Sequence, residues 1–361
     1  MNIERDLRKG GITIIEPLDT STVRSIAKNV SEKISLAFPN YGFNLDDLYS
    51  KFSNLPMYIA NIPAGLSEAS YFYKNSSVYF RDGMGLADLS KYAVHELIHN
   101  LQERKDEKGN LVRLGLCSFN GSKICSMALN EAAVQLITSN ILESTFDTVT
   151  YYDITFSTIS PNCYPLLCNL ISQIAYVTGE DVLYESTFNS NDHFKNKFSA
   201  LCGDKTFTRI SNNFDTILEK EESIIKLNNI LQTHDLKNTK LNNISNKIAD
   251  LKEQIKTIYF ETQELIVTSY FSTMYDSLIT TIDLERFRNK LYNFKDFLGS
   301  NDNYYFFNNY YIQMMEKLDK KFDVLSDTNT YLIPRKESKF SKIIKYIRRI
   351  ILKKQFENDE I

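Results

Sequence analysis

Only four histidines occur in this 361-residue chain, and two of them bound the segment His95-Glu96-Leu97-Ile98-His99. With so few histidines, chance alone would produce this pattern in roughly 0.002 of comparable chains, so the spacing itself carries information. Successive helical residues turn by about 100°, which sets side chains four apart on one face, about 40° from each other. Two imidazoles one turn apart can chelate a single zinc ion. Glu96 borders the same face, where a carboxylate can take a proton from an attacking water. Val94, Leu97, Ile98 and Leu101 fall on the other side and give the helix a face to bury. A catalytic zinc needs a third protein ligand and one open position. Glu131 is the best candidate, because its helix, Ala128-Leu129-Asn130-Glu131-Ala132-Ala133-Val134-Gln135-Leu136-Ile137, is otherwise mostly apolar. A carboxylate there is costly to bury unless it is paired or bound to a metal. Glu143 and Asp106 are weaker candidates in looser surroundings.

These residues resemble the gluzincin branch of the zincin metallopeptidases, the thermolysin-like arrangement. There HExxH lies on one helix, and a Glu on a later helix, often after Asn, completes the zinc site. The metzincin continuation is absent, since Gln102 and Lys105 stand where Gly and His would be. His95, Glu96, His99 and Glu131 match the gluzincin roles one by one, over about residues 55–145. The resemblance implies a zinc-dependent peptidase with one catalytic zinc ion, Glu96 as general base and a peptide or protein as substrate. The aromatic segments at 70–73 and 77–80 resemble the zincin sheet whose edge strand binds substrate. There are two departures. Gln135 stands where an Asp often supports a histidine ligand, and the oxyanion-stabilising Tyr or His is not marked by the motif. His193 and Tyr164 are the candidates for that role.

Other chemistries find no support. The five cysteines, Cys117, Cys125, Cys163, Cys168 and Cys202, lack zinc-knuckle spacing and read as reduced thiols. No serine elbow, P-loop or dinucleotide fingerprint appears, and Gly83-Met84-Gly85 reads as a turn. The 45 acidic and 42 basic residues nearly balance, which argues against nucleic acid as a partner. One segment departs from that balance: residues 335–354 carry nine Lys or Arg against one acid, with isoleucines at 343, 344, 347, 350 and 351. It predicts a basic amphipathic C-terminal helix, suited to peripheral contact with an anionic membrane or a protein, or to docking on the acidic remainder of the chain. Residues 1–19 are too charged for a signal peptide, and no run of about 18 apolar residues occurs. The expectation is a cytoplasmic protein, signal-independent export aside.

The elements that must position these residues follow from periodicity. Only 12 Gly and 7 Pro occur, which favours long helices. Helical spacing predicts helices over 21–38, 88–103, 122–142 and 164–177. A short apolar segment predicts a strand over 57–62, aromatic-rich segments predict a hairpin over 70–80, and 111–119 reads as another extended piece. Past residue 204 the pattern is nearly all helical. Phe207, Ile210, Phe214, Ile217, Ile224 and Leu231 form one seam, interrupted at Glu221 and Asn228. Leu241, Ile244, Ile248, Leu251, Ile255, Ile258 and Leu265 form a second. Two such seams joined by residues 232–240 predict an antiparallel helical hairpin. Further helices are expected over 284–297 and 304–325. The fold class is therefore α+β: a zincin-like N-terminal domain over 1–204, with a small mixed sheet and active-site helices, then a mainly helical domain over 205–333 and the basic helix over 334–361. The alternative to a peptidase is a non-enzymatic helical interaction protein with a structural or vestigial zinc site.

Overall fold

The computed structural model describes residues 3–63, 67–120, 123–233, 238–298 and 305–326. The basic segment over 334–361 and residues 234–237 of the connection expected over 232–240 lie outside the described residues. Helix α1 (Ile3–Lys9) leads into β1 (Thr13–Pro17), then α2 (Thr20–Ala37), α3 (Leu45–Ser53), β2 (Met57–Asn61), β3 (Ala69–Phe72) and β4 (Ser77–Arg81). Helix α4 (Leu86–Gln102) is followed by the short strands β5 (Glu103–Lys105), β6 (Leu111–Leu114), β7 (Cys117–Asn120) and β8 (Lys123–Cys125). Next come α5 (Met127–Ile141), the hairpin β9 (Asp147–Tyr151) and β10 (Ile154–Thr158), and α6 (Pro165–Thr178), α7 (Glu180–Asn189) and α8 (His193–Cys202). The remainder is helical: α9 (Asp204–Thr233), α10 (Asn238–Ser277), α11 (Thr281–Leu298) and α12 (Tyr305–Ser326). This is an α+β fold with mixed sheets first and helices after. Among the described residues no helix is long and apolar enough to cross a membrane.

Local chemistry accounts for the elements nearest the site. Helix α2 starts at Asp19, whose carboxylate accepts the backbone N–H groups of Ser21 and Thr22 at 2.9 and 3.0 Å and so satisfies two donors that the first turn leaves unpaired. Its apolar residues Val23, Ile26, Ala27, Val30 and Ile34 are buried and pack on α4. The first sheet runs in the order β1-β2-β4-β3. Strands β2 and β4 pair in parallel, and β3 pairs with β4 antiparallel, Tyr71 opposite Val78. Strand β3 is therefore an edge, and it lies against α4.

Several expectations shift in detail. The extended piece at 111–119 is two antiparallel strands, β6 and β7, joined by a turn at Gly115 and Leu116. Residues 123–125 complete that sheet as β8, so the helix expected from 122 begins only at Met127. The hairpin β9–β10 and the helices α7 and α8 add to these expectations; Val149, Tyr151, Ile154 and Phe156 alternate along the hairpin, and Phe194, Phe198 and Leu201 repeat at helical spacing on α8.

Helices α9 and α10 form a long antiparallel pair. Arg209 meets Glu261 at 2.6 Å, Asn213 meets Thr262 at 2.9 Å and Lys220 meets Gln254 at 2.6 Å, so one helix ascends as the other descends. The α9 seam is buried through Ile224. In α10 the buried set changes beyond Ile255, to Tyr259, Ile266, Val267, Tyr270 and Phe271, because α10 also packs against α6 and α8. The larger of two apolar cores among the described residues runs through Val23, Leu97, Ile137, Phe214, Phe271 and Leu318. Burying each such side chain contributes about 1.5–3 kcal/mol, and this core holds α4, α5 and α9 in fixed relation.

Candidate metal centre

Helices α4 and α5 bring His95, His99 and Glu131 together, and among the described residues this is the one cluster of potential ligands close enough to share an ion. His95 Nε2 and His99 Nε2 lie 3.1 Å apart. Glu131 Oε2 is 3.2 Å from His95 Nε2, and its Oε1 is 3.4 Å from His99 Nε2. Ligand atoms on a tetrahedral zinc, each about 2.05 Å from the ion, stand about 3.3 Å apart. The imidazole–imidazole separation and the distance from each imidazole to its nearer Glu131 oxygen are all close to this value, and one ligand atom from each residue lies within 4.8 Å of the others. All three residues line a cleft of about 300 Å³, the open side that a catalytic ion would need.

Hydrogen bonds behind the imidazoles determine which ring nitrogens face the centre. The Cys163 carbonyl can only accept, so Ser160 Oγ donates to it at 2.6 Å and in turn accepts from Gln135 Nε2 at 3.0 Å. That turns Gln135 Oε1 toward His95 Nδ1, 2.9 Å away, and the proton of His95 sits on Nδ1. On the other side Leu116 N–H donates to Asn130 Oδ1 at 2.9 Å. Asn130 Nδ2 then donates to Gln102 Oε1, which faces His99 Nδ1; both distances are 3.2 Å. Both Nε2 lone pairs thus point at each other and at the Glu131 carboxylate. Such a group needs a cation at its centre, either a proton or a metal ion.

The electrostatics agree. Burial alone would lower the pKa of His99, but the Glu131 carboxylate outweighs it and raises the ring to about 9. Burial would raise Glu131, yet His99 and His95 hold it well below the usual carboxylate range. Glu96 is 7% exposed; burial raises its pKa, and the two imidazoles offset only part of that rise. Its Oε2 accepts the Tyr71 backbone N–H at 2.6 Å. The general-base candidate is therefore tied to the β3 edge, beside the ligand group and outside it.

Tyr71 joins strand and helix a second time. Its ring lies nearly parallel to that of His99, 6.5 Å between centroids. Its hydroxyl donates to Glu103 Oε1 at 2.6 Å and accepts from Asn100 Nδ2 at 3.0 Å. Gly115 closes the far side at φ +58, with the Asn130 and Gln102 side chains where a Cβ would stand. Ser190 Oγ accepts the Gly115 N–H at 2.9 Å and donates to the Gln102 carbonyl.

The two further candidates part company. Tyr164 lines the cleft, its ring 6.3 Å from that of His95. Its backbone is left-handed, φ +49, at the N-cap of α6, and its pKa is raised by burial and by Glu131 and Glu96, so the phenol keeps its proton. His193 is at the start of α8, pairs with Glu185 at 3.2 Å and is half exposed; it does not line the cleft. The weaker ligand candidates Glu143 and Asp106 stand outside the ligand group. Sequence reading missed the roles of Gln102, Asn130, Ser160 and Tyr71. Gln102 had the one readable signal, since it lies a helical turn beyond His99. No family model, no curated protein and no solved structure matches this chain.

Proposed function

We propose that the chain is a zinc-dependent peptidase in which His95, His99 and Glu131 hold the ion and Glu96 is the general base. The carrying observation is the set of ligand separations, 3.1, 3.2 and 3.4 Å, next to a buried carboxylate at an open cleft. A zinc ion held there supplies Lewis acidity toward a water and a substrate carbonyl. The protein supplies the rest. Burial lifts Glu96 toward the range in which a carboxylate can accept a proton and give it up again. The Tyr71 N–H keeps one of its oxygens in place.

The β3 edge suits an extended peptide. Arg81 N–H donates to the Glu68 carbonyl at 2.9 Å. With Ala69 opposite Phe80, Ser70 and Phe72 then bond β4, and Ala69 and Tyr71 turn their backbone groups toward the cleft. A substrate strand can pair with the Ala69 N–H and the Tyr71 carbonyl, which sets a peptide carbonyl beside the metal group. Tyr164, protonated and facing the cleft, is the donor for the oxyanion that develops on that carbonyl. The test is a peptide-library digestion by parent and Glu96→Gln with zinc content measured in both. Equal cleavage by the two proteins would overturn the reading.

A further inference from the structure

Both metal-facing histidines are backed by uncharged amides. Gln135 Oε1 holds His95 Nδ1 at 2.9 Å, and Gln102 Oε1 holds His99 Nδ1 at 3.2 Å. A carboxylate behind an imidazole both orients the ring and raises its basicity as a ligand; an amide carbonyl orients without adding charge. Each amide is itself fixed by backbone groups, through Ser160 to the Cys163 carbonyl and through Asn130 to the Leu116 N–H. Orientation is therefore complete without a negative charge behind either ring.

The carboxylates already present explain why neutrality matters. Glu96 and Glu131 both line the cleft around the two imidazoles, and a third acid behind His95 would add a buried negative charge that, without a metal, only a further proton on the imidazoles could offset. From this geometry we infer that Gln135 and Gln102 are positioning residues that keep the centre exchangeable: metal binds and leaves a protein that stays folded in either state. The inference rests on the zinc reading above and adds to it that zinc occupancy is reversible.

The experiment compares zinc affinity, by competition with a chromophoric chelator, and thermal unfolding with and without zinc, in parent, Gln135→Glu and Gln135→Leu. Gln135→Glu should bind zinc about 10–100-fold more tightly and should melt below the parent when metal-free. Gln135→Leu, which removes the acceptor and adds no charge, should bind about 10–100-fold more weakly. A role in packing alone would not tighten binding in the glutamate variant. Parental affinity in both variants would overturn the inference and leave the zinc site standing. If Gln135→Glu does not fold, parental affinity in Gln135→Leu overturns it alone. A parent that melts out as zinc is withdrawn would overturn it too. A parent that binds no zinc would instead remove the metal reading on which it rests.

Discussion

Replacing Gly115 by Ala should loosen a candidate metal ligand that it never touches. At this position φ is +58, and an added Cβ would lie 2.1 Å from Asn130 Oδ1 and 2.5 Å from Gln102 Nε2. Those two side chains are 1% and 0% exposed, so neither can swing away into solvent. The left-handed backbone alone costs an alanine about 1–2 kcal/mol. Separating Asn130 Oδ1 from the Leu116 N–H leaves a buried pair unsatisfied, at about 1–3 kcal/mol. The sum, about 2–5 kcal/mol, is a large part of the 5–15 kcal/mol typical of a folded domain. The displaced Gln102 would no longer hold His99 Nδ1, so zinc affinity should fall by about 10–100-fold as well. Gly83→Ala is the matched control: its φ is +86, but nothing lies within 4 Å of the added carbon, so it should show the backbone cost and parental zinc binding. Urea unfolding of the metal-free proteins and chelator competition measure both quantities. Parental stability and zinc affinity in Gly115→Ala would refute the role given to the Gly115–Asn130–Gln102 contact.

Glu131→Ala should lower zinc affinity by orders of magnitude, read by the same competition, because it removes one of the three protein ligands proposed for the ion. Glu96→Gln should keep zinc and lose turnover by about 10²–10⁴-fold, as expected for a missing acid–base group. Burial raises Glu221 to about 8 from its ordinary 4.5, and its Oε1 has no partner among the described residues. The folded chain therefore keeps a proton that the unfolded chain releases, and stability should fall as pH rises from about 4.5 through about 8, by up to about 4–5 kcal/mol. Glu221→Gln should flatten that slope, checked by urea unfolding at about pH 5 and about pH 9.

Much of the site was legible because its chemistry repeats with the helix. His95, Glu96 and His99 fall on one turn of α4, and Glu131 and Gln135 one turn apart on α5; both helices announce themselves by apolar spacing. The edge-strand hairpin was legible from its aromatic-rich segments on either side of Lys74-Asn75-Ser76. The connection between these pieces was not. Gln102 reaches His99 only because Asn130 turns it, and Asn130 is turned by a backbone N–H in a β-turn whose left-handed glycine leaves no periodic trace. Tyr71 reads as one aromatic among many, since its important contact is made by its backbone. His193 looked available for chemistry as one of few histidines, but it stands half exposed at the start of α8, hydrogen-bonded to Glu185 and away from the cleft. In α10 the seam drifts because a second layer of helices competes for its faces, a tertiary effect that heptad spacing does not encode.

Zinc content bears most directly on the claim that His95, His99 and Glu131 hold an ion beside Glu96. Elemental analysis of protein purified without chelator should find about one zinc per chain in the parent and in Glu96→Gln, and little in His99→Ala. A parent without stoichiometric zinc, or a His99→Ala variant that retains it, would contradict the assignment.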